Sequence, residues 1–425
     1  MEFNDCTKPA AASVAGENTA DKILRLALDV GEGILKNGGE VSRVEETIER
    51  ICCVYGASHV EVFSITSMIT AAVRLPDGAY SSQLRRVRES DTNLSVVEKL
   101  NALSREICTT KPPLDEFEKK IKAIKKQKVY SLPILTVASA VTTASFALFF
   151  GGNIKDTLVS GAIGAIIALI DGFAANKLNS LTKILVCSFV SALFASLSVI
   201  AGIGSSDSII MISAIMLLVP GVAFGTAIRD LFLGELLTGV MKIMQAFISS
   251  FMIALGYMLA MGIVGGKSMV SELPDRHIAI MLITALTASV AFSMLFKVNK
   301  KHLPFIAVAG FFTWLFYYAA MVNGASPFIC GFLSTAFSAV FAEFFARIRR
   351  APTIMVLIPA VIPTVPGGYL YYAMRYALEN NYATAGQYAI SAVEIGVGIA
   401  CGMVSISIIL RLLTGIMKKI KKQSK

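Results

Sequence analysis

A chain of 425 residues that is 55% hydrophobic and 16% charged is too apolar for a set of soluble domains and reads as a membrane protein. Residues 1–128 hold 19 Lys and Arg against 19 Asp and Glu, so the net charge of +10 belongs wholly to the remainder, which holds 20 against 10. Those charges lie in short segments between apolar runs, where membrane topology accounts for them, and nucleic acid is therefore not an expected partner.

The seven cysteines show neither a CxxC pair nor regular spacing, which argues against a disulfide framework and a zinc site. No metal, cofactor or catalytic residue is expected. Residues 1–20 combine no basic segment with an apolar one, so they read as a disordered cytoplasmic tail and not as a signal peptide.

Residues 21–128 read as a small α+β cytoplasmic domain. Ile23, Leu26, Val30 and Ile34 mark one helical stripe, closed by Asn37-Gly38-Gly39. A second helix follows, with Val41, Val44, Ile48, Ile51 and Tyr55 on its apolar face and the pair Glu46 and Arg50 on its polar one. The β-branched run HVEVFSITSMITAAV ends at the turn Leu75-Pro76-Asp77-Gly78 and predicts a hairpin. Two further helices are expected over 93–108 and 114–128, the second ending in KKIKAIKKQK. The neutral charge balance and amphipathic helices suit packing against inner loops or a second copy, so this domain is expected to modulate or assemble the protein.

From Val129 onward ten apolar segments are long enough to span a bilayer at roughly 20 residues each: 130–150, 157–176, 183–202, 208–228, 243–264, 278–297, 303–322, 327–346, 352–374 and 387–413. With the lysine run at 119–128 inside, 16 of the 20 basic residues of this part fall in inner segments. Lys155, Lys267, Arg276 and Arg375 fall outside. That asymmetry places the chain in the inner membrane with both termini cytoplasmic, the second of them a basic tail at 417–425. His59, His277 and His302 show no ligand spacing and are expected to be solvated.

The fourth span carries Pro220-Gly221 and the ninth Pro366-Gly367. A proline costs a helix interior about 3 kcal/mol and a glycine about 1 kcal/mol, so each pair predicts a break. Aligning VPGVAFGTAIR at 219–229 with VPGGYLYYAMR at 365–375 matches five of eleven positions at an offset of 146 residues. The same offset carries the first span onto the sixth. The fold class is therefore an α-helical polytopic membrane protein of ten spans in a five-plus-five inverted repeat, 129–265 and 276–416, since an odd repeat enters the bilayer upside down. Pro and Gly also kink ordinary membrane helices; two copies in corresponding spans favour a substrate site.

The run LVPGVAFGTAIRDLFLGELLTG, the upstream NGGEVSRVEETIERI and the five-plus-five layout resemble the threonine/serine exporter family over about residues 22–415. The resemblance implies export of small amino acids driven by the proton motive force. Some relatives with two separate chains look like dicarboxylate exporters, which keeps succinate-like substrates open. It supplies no substrate-binding residues.

Site candidates come from the residues themselves. Half-helix N-termini at Pro220, Gly221, Pro366 and Gly367 suit a carboxylate, and the freed carbonyls before them suit an ammonium group. Glu394, in SAVEIGVGIACG, is the first choice for proton coupling, with Asp171 and Glu343 nearer the cytoplasmic face. Arg229, Asp230 and Glu235 are expected at an inner gate. Beyond substrate and protons, the bilayer and a second copy of the chain are the expected partners. Two other classes remain: a channel or membrane-anchored sensor, and an enzyme. An enzymatic cytoplasmic domain has Cys52, Cys53, His59 and Asp77 as candidates, without recognisable catalytic context, and an intramembrane hydrolase is disfavoured by the absence of HExxH and GxSxG.

Overall fold

The structure is a computed structural model. It describes residues 19–88, 91–127, 129–174, 178–264 and 277–423, with side chains except at 221–225, 411 and 414–423. The tail at 1–18, Lys177, Lys267, Arg276 and the last two residues of the basic tail lie outside the described residues. The chain forms two compact units: residues 1–92 with 96–127, and 93–95 with 128–425.

In the first unit, α1 (Thr19–Lys36) buries Ile23, Leu26, Val30 and Ile34, and α2 (Val41–Val54) buries Val41, Val44, Ile48 and Ile51. Between them the chain reverses at Gly38, whose φ of +88° is strained for any other residue, and the Gly39 N–H donates to Ile34 O at 2.9 Å. Glu46 accepts from both Arg43 and Arg50 on the exposed face of α2.

The sheet is β1 (His59–Ile65), β2 (Met68–Arg74) and β3 (Tyr80–Arg86), antiparallel in that order, with Phe63 opposite Thr70 and Thr70 opposite Leu84. The expected hairpin therefore continues into a third strand. YSSQLRR carries almost no apolar signal, but the turn before it is built for reversal: Asp77 Oδ1 accepts from Ala79 N–H at 2.9 Å and Gly78 has φ +85°. Ile69, Ala71 and Val73 face the helices and are buried.

Helices α3 (Leu94–Thr110) and α4 (Leu114–Lys125) complete the fold. Phe117 of α4 stacks on Tyr55, and Lys22 donates to Asp115 at 2.5 Å, which holds that carboxyl below its usual range. Burial pushes the Cys52 thiol up to about 12, so it supplies no thiolate near neutrality. His59 lies 3.1 Å from Glu61, and Asp77 accepts from Ala79 N–H within its turn.

The second unit is helical. Its first half runs α5 (Leu132–Phe149), α6 (Ile154–Ala174), α7 (Ser180–Ile200), the short pair α8 (Asp207–Ile215) and α9 (Gly221–Phe232), and α10 (Leu236–Val264). Its second half runs α11 (Ile278–Leu295), α12 (Leu303–Val322), α13 (Pro327–Arg349), α14 (Ile354–Val361) and α15 (Gly367–Leu378), and α16 (Tyr382–Gln423). A shift of 146 residues carries both ends of α5 onto α11, both ends of α9 onto α15, and the start of α10 onto that of α16.

The halves also pack alike. In each, the first helix packs on the second, the second on the third and the third on the last. The first short helix touches helices one to three, and the second short helix lies against the last. Across the halves, α5 packs on α11 and α8 on α15.

Close approach in each half depends on glycine, as expected where lipid leaves van der Waals contact to hold helices together. A Cβ on Gly402 of α16 would lie 2.7 Å from Phe332 O of α13, and one on Gly256 of α10 would lie 2.6 Å from Leu185 O of α7.

Among the described residues, eight helices are long and apolar enough to cross a membrane, or nine if α14 with α15, bent by 44°, counts as one span. One sequence expectation is corrected here. His302 is buried at 1% exposure, its ring edge-on to Phe345 at 5.1 Å. Arg375 is buried at 2% exposure inside α15.

Candidate substrate site

Both Pro-Gly pairs end one helix and start another. Pro220 precedes α9 with φ −78° and ψ 36°, and Pro366 precedes α15 with φ −76° and ψ 44°. A proline lacks the N–H a continuing helix would use, but its fixed φ suits the start of the next helix. Before the second break the chain tightens into a 3-10 turn at Ile362–Thr364. The two breaks come together: a Cβ on Gly367 would lie 2.3 Å from Met216 Sδ and 3.8 Å from Val219 Cγ2.

Beside the second break lies a cavity of about 400 Å³. Phe149 and Phe150 come from the end of α5, and Trp314 and Tyr317 from α12. The break contributes Pro363, Thr364, Val365 and Pro366, while α15 adds Gly368, Tyr369, Tyr372 and Tyr376. Tyr388 and Ile395 of α16 close the wall. Every one of these residues is uncharged.

Trp314 is fixed edge-on to Phe149 at 4.5 Å and stacked on Tyr317 at 4.9 Å. Its Nε1–H is buried with no acceptor among the described residues. Tyr388 lies against Tyr372 at 5.3 Å and Tyr376 at 5.5 Å.

Arg375, two turns beyond Gly367, donates from Nη1 to Tyr371 Oη at 2.9 Å, Ser208 Oγ at 3.2 Å and Tyr257 Oη at 3.4 Å. Its Nε donates to Glu379 at 3.3 Å. One guanidinium therefore ties α15 to α8 and α10. Arg229, at the corresponding place in α9, is also buried, while its neighbour Asp230 accepts from Lys242 at 2.6 Å. Glu235 begins the turn into α10, its N–H donating to Asp230 O at 2.9 Å.

The carboxylates differ. Asp171 is exposed and accepts from Lys183 at 2.8 Å. Glu343 and Glu394 are half-buried in α13 and α16; among the described wall residues the cavity has Ile395 and not Glu394. Asp156, absent from the sequence candidates, is buried at 2% exposure and accepts from the Ser205 and Ser206 N–H groups at 2.7 and 3.0 Å. It pins the start of α6 to the loop before α8. No group of three or more His, Cys, Asp or Glu among the described residues is arranged to hold a metal.

The sequence reading missed Trp314 and the tyrosines. Their signals were present: a single tryptophan in 425 residues, and the run YLYYAMRY directly after the second Pro-Gly.

A bundle of membrane-length helices, interrupted at two corresponding places with a cavity beside the second, defines a polytopic membrane protein of the transporter class. The family model described as "Putative threonine/serine exporter" matches residues 25–264, and the one described as "Threonine/Serine exporter, ThrE" matches 281–409. The chain belongs to the threonine/serine exporter family, in its form with both halves fused. Neither the curated proteins nor the solved structures give a match.

Proposed function

We propose that the protein exports threonine- and serine-sized amino acids across the cytoplasmic membrane, driven by the proton motive force, by alternating access between two five-span repeats of opposite orientation. In this reading each short pair, α8 with α9 and α14 with α15, counts as one broken span, which makes ten. The observation that carries the proposal is the meeting of the two breaks, with Gly367 against Met216 and Val219, near a cavity whose described lining is uncharged. Broken helices expose backbone groups that must be satisfied in a medium where each unsatisfied group costs several kcal/mol. A substrate with a carboxylate and an ammonium group satisfies both kinds.

Glu394 is the proposed proton carrier because a half-buried carboxylate in a span is costly when charged and is discharged by one proton. Asp171, exposed and already paired with Lys183, is the weaker candidate, and Glu343 stands between them. Arg229, Asp230 and Glu235 form the proposed inner gate, with Lys242 as the partner Asp230 exchanges on opening. Both termini are cytoplasmic in this reading, and residues 21–128 modulate or assemble the exporter.

Counterflow of labelled serine, threonine and succinate into proteoliposomes tests the proposal. Saturable uptake of serine and threonine driven by trapped unlabelled amino acid is expected. Uptake of succinate alone would make it a dicarboxylate exporter, and flux without counterflow would make it a channel.

A further inference from the structure

The cavity lies along α15 and the start of α16, and the shift of 146 residues that relates the halves gives each wall position a counterpart beside the first break. The counterparts differ in chemistry. Tyr376 and Tyr388, stacked at 5.5 Å between α15 and α16, correspond to Asp230 and Lys242, paired at 2.6 Å between α9 and α10. The same contact between helices thus carries two rings in one half and an ion pair in the other. Tyr372 corresponds to Thr226, Ile395 to Ser249 and Tyr317 to Asp171, so at all five places an aromatic or aliphatic side chain is matched by Asp, Lys, Thr or Ser.

The two breaks also differ in how the halves meet around them. α9 packs along α16 of the other half, whereas α15 reaches α10 through Tyr371 and Arg375, whose side chains meet Tyr257. Asp230 and Ser249 are buried. In the proposed topology α15 leads outward from its break and α9 inward, so the cavity belongs to the outer half of the membrane. Covering an ion pair costs several kcal/mol of desolvation per ion, and an apolar pair would hold the same two helices without that cost. Charge at this contact is therefore unfavourable for packing alone and useful once water and substrate reach it.

We propose, on the reading above of two inverted repeats that exchange conformations, that the protein forms a second cavity, beside the first break and facing the cytoplasm, whose wall is charged. It opens when α9 leaves α16 and α15 closes on α10. Asp230 and Lys242 then stand where the outer cavity has Tyr376 and Tyr388. The pair of the inner gate is thereby part of the loading site, each member exchanging the other for an opposite charge on the substrate. Loading takes place between charges, and release between aromatic rings.

The experiment uses the full chain with its cysteines removed, in inside-out and right-side-out membrane vesicles, with a membrane-impermeant thiol reagent. Thr226→Cys and Ser249→Cys should be modified from the cytoplasmic face, and Tyr372→Cys and Tyr388→Cys from the outer face. Serine counterflow in the same two orientations reads the chemistry of each wall. Asp230→Asn should raise the serine KM about tenfold at the cytoplasmic face, equivalent to about 1.4 kcal/mol, and leave it within about twofold at the outer face. Tyr388→Leu should do the reverse. Asp230→Lys combined with Lys242→Asp keeps the pair and should recover most of the cytoplasmic KM, which separates loss of the wall from loss of the fold.

Modification of the two outer positions with none at 226 and 249 in inside-out vesicles would overturn the second cavity and leave the exporter reading intact. A serine KM raised by Asp230→Asn equally at both faces, or at neither, would overturn the charged wall. Absence of serine counterflow in the unsubstituted chain would overturn the exporter reading, while the labelling still decides whether the second cavity exists.

Discussion

At the scale of single residues, Arg375 is a buried charge held by several partners. Three hydroxyls from α15, α8 and α10 converge on Nη1, and a charge-assisted hydrogen bond of this kind is worth roughly 1.5–3 kcal/mol. Tyr371→Phe removes the shortest of them and should lower the thermal midpoint of the detergent-solubilised protein. Glu379→Gln should have a much smaller effect, because that carboxylate is 42% exposed. Equal midpoints for the two variants would show that the cluster does not hold α15 in place.

A second residue-scale expectation concerns pH. The Cys52 thiol is raised to about 12 by desolvation in the folded state, so the stability it contributes is complete below the ordinary thiol range and is lost as pH rises toward 12. In a Cys53→Ser background, maleimide labelling of the first unit at pH 8 should leave Cys52 unmodified until denaturant is added. Cys53, exposed on the same helix, should label in the native protein.

At the scale of elements, α16 lies on α13 through backbone approach, and Gly402 decides how near it comes. Gly402→Leu must push the helices apart, since even its Cβ meets Phe332 O at 2.7 Å and Ala336 N at 3.0 Å, both backbone atoms that do not yield. Overpacking of this sort typically costs about 1–3 kcal/mol. Gly386→Leu, on the same helix with open space around it, should be tolerated. Melting curves of both variants separate a packing role from a general intolerance of larger side chains.

The broken helices carry the corresponding functional expectation. Pro220→Ala and Gly367→Leu should impair substrate binding more than membrane insertion. Glu394→Gln should abolish proton-driven export while sparing exchange. Wild-type export and counterflow in all three variants would reduce the Pro-Gly pairs to ordinary kinks.

At the scale of the whole molecule, the proposed repeat accounts for the register in which α9 and α15 begin and end, and for the same helix pairs packing in both halves. Orientation is tested by labelling a cysteine-free chain from outside the cell. A cysteine at exposed position 155 should react, and cysteines at 180 and 299 should not. Position 156, one residue further, is a poor reporter because its side chain is buried beneath the loop before α8. External reaction at 299 would invert the proposed topology.

Features that are periodic or local were legible in the residues alone. Apolar runs near 20 residues long located the membrane helices because each must cover its backbone from lipid within its own length. Pro220-Gly221 and Pro366-Gly367 located the breaks because proline and glycine act on the helix that contains them. The short α2 stripe and the turn at Gly78 were legible for the same reason. β3 was not, since YSSQLRR is a strand only by pairing with β2.

Which side chains share a cavity and which charges are buried depended on long-range packing. Trp314 and Tyr388 are 74 residues apart and line one cavity, and Arg375 reaches Ser208 from 167 residues away. His302 and Asp156 stand at loop ends where composition implies solvent, yet packing of other helices covers both. Burial and convergence are properties of what lies across the gap from a residue, and that is set by helix packing far away along the chain.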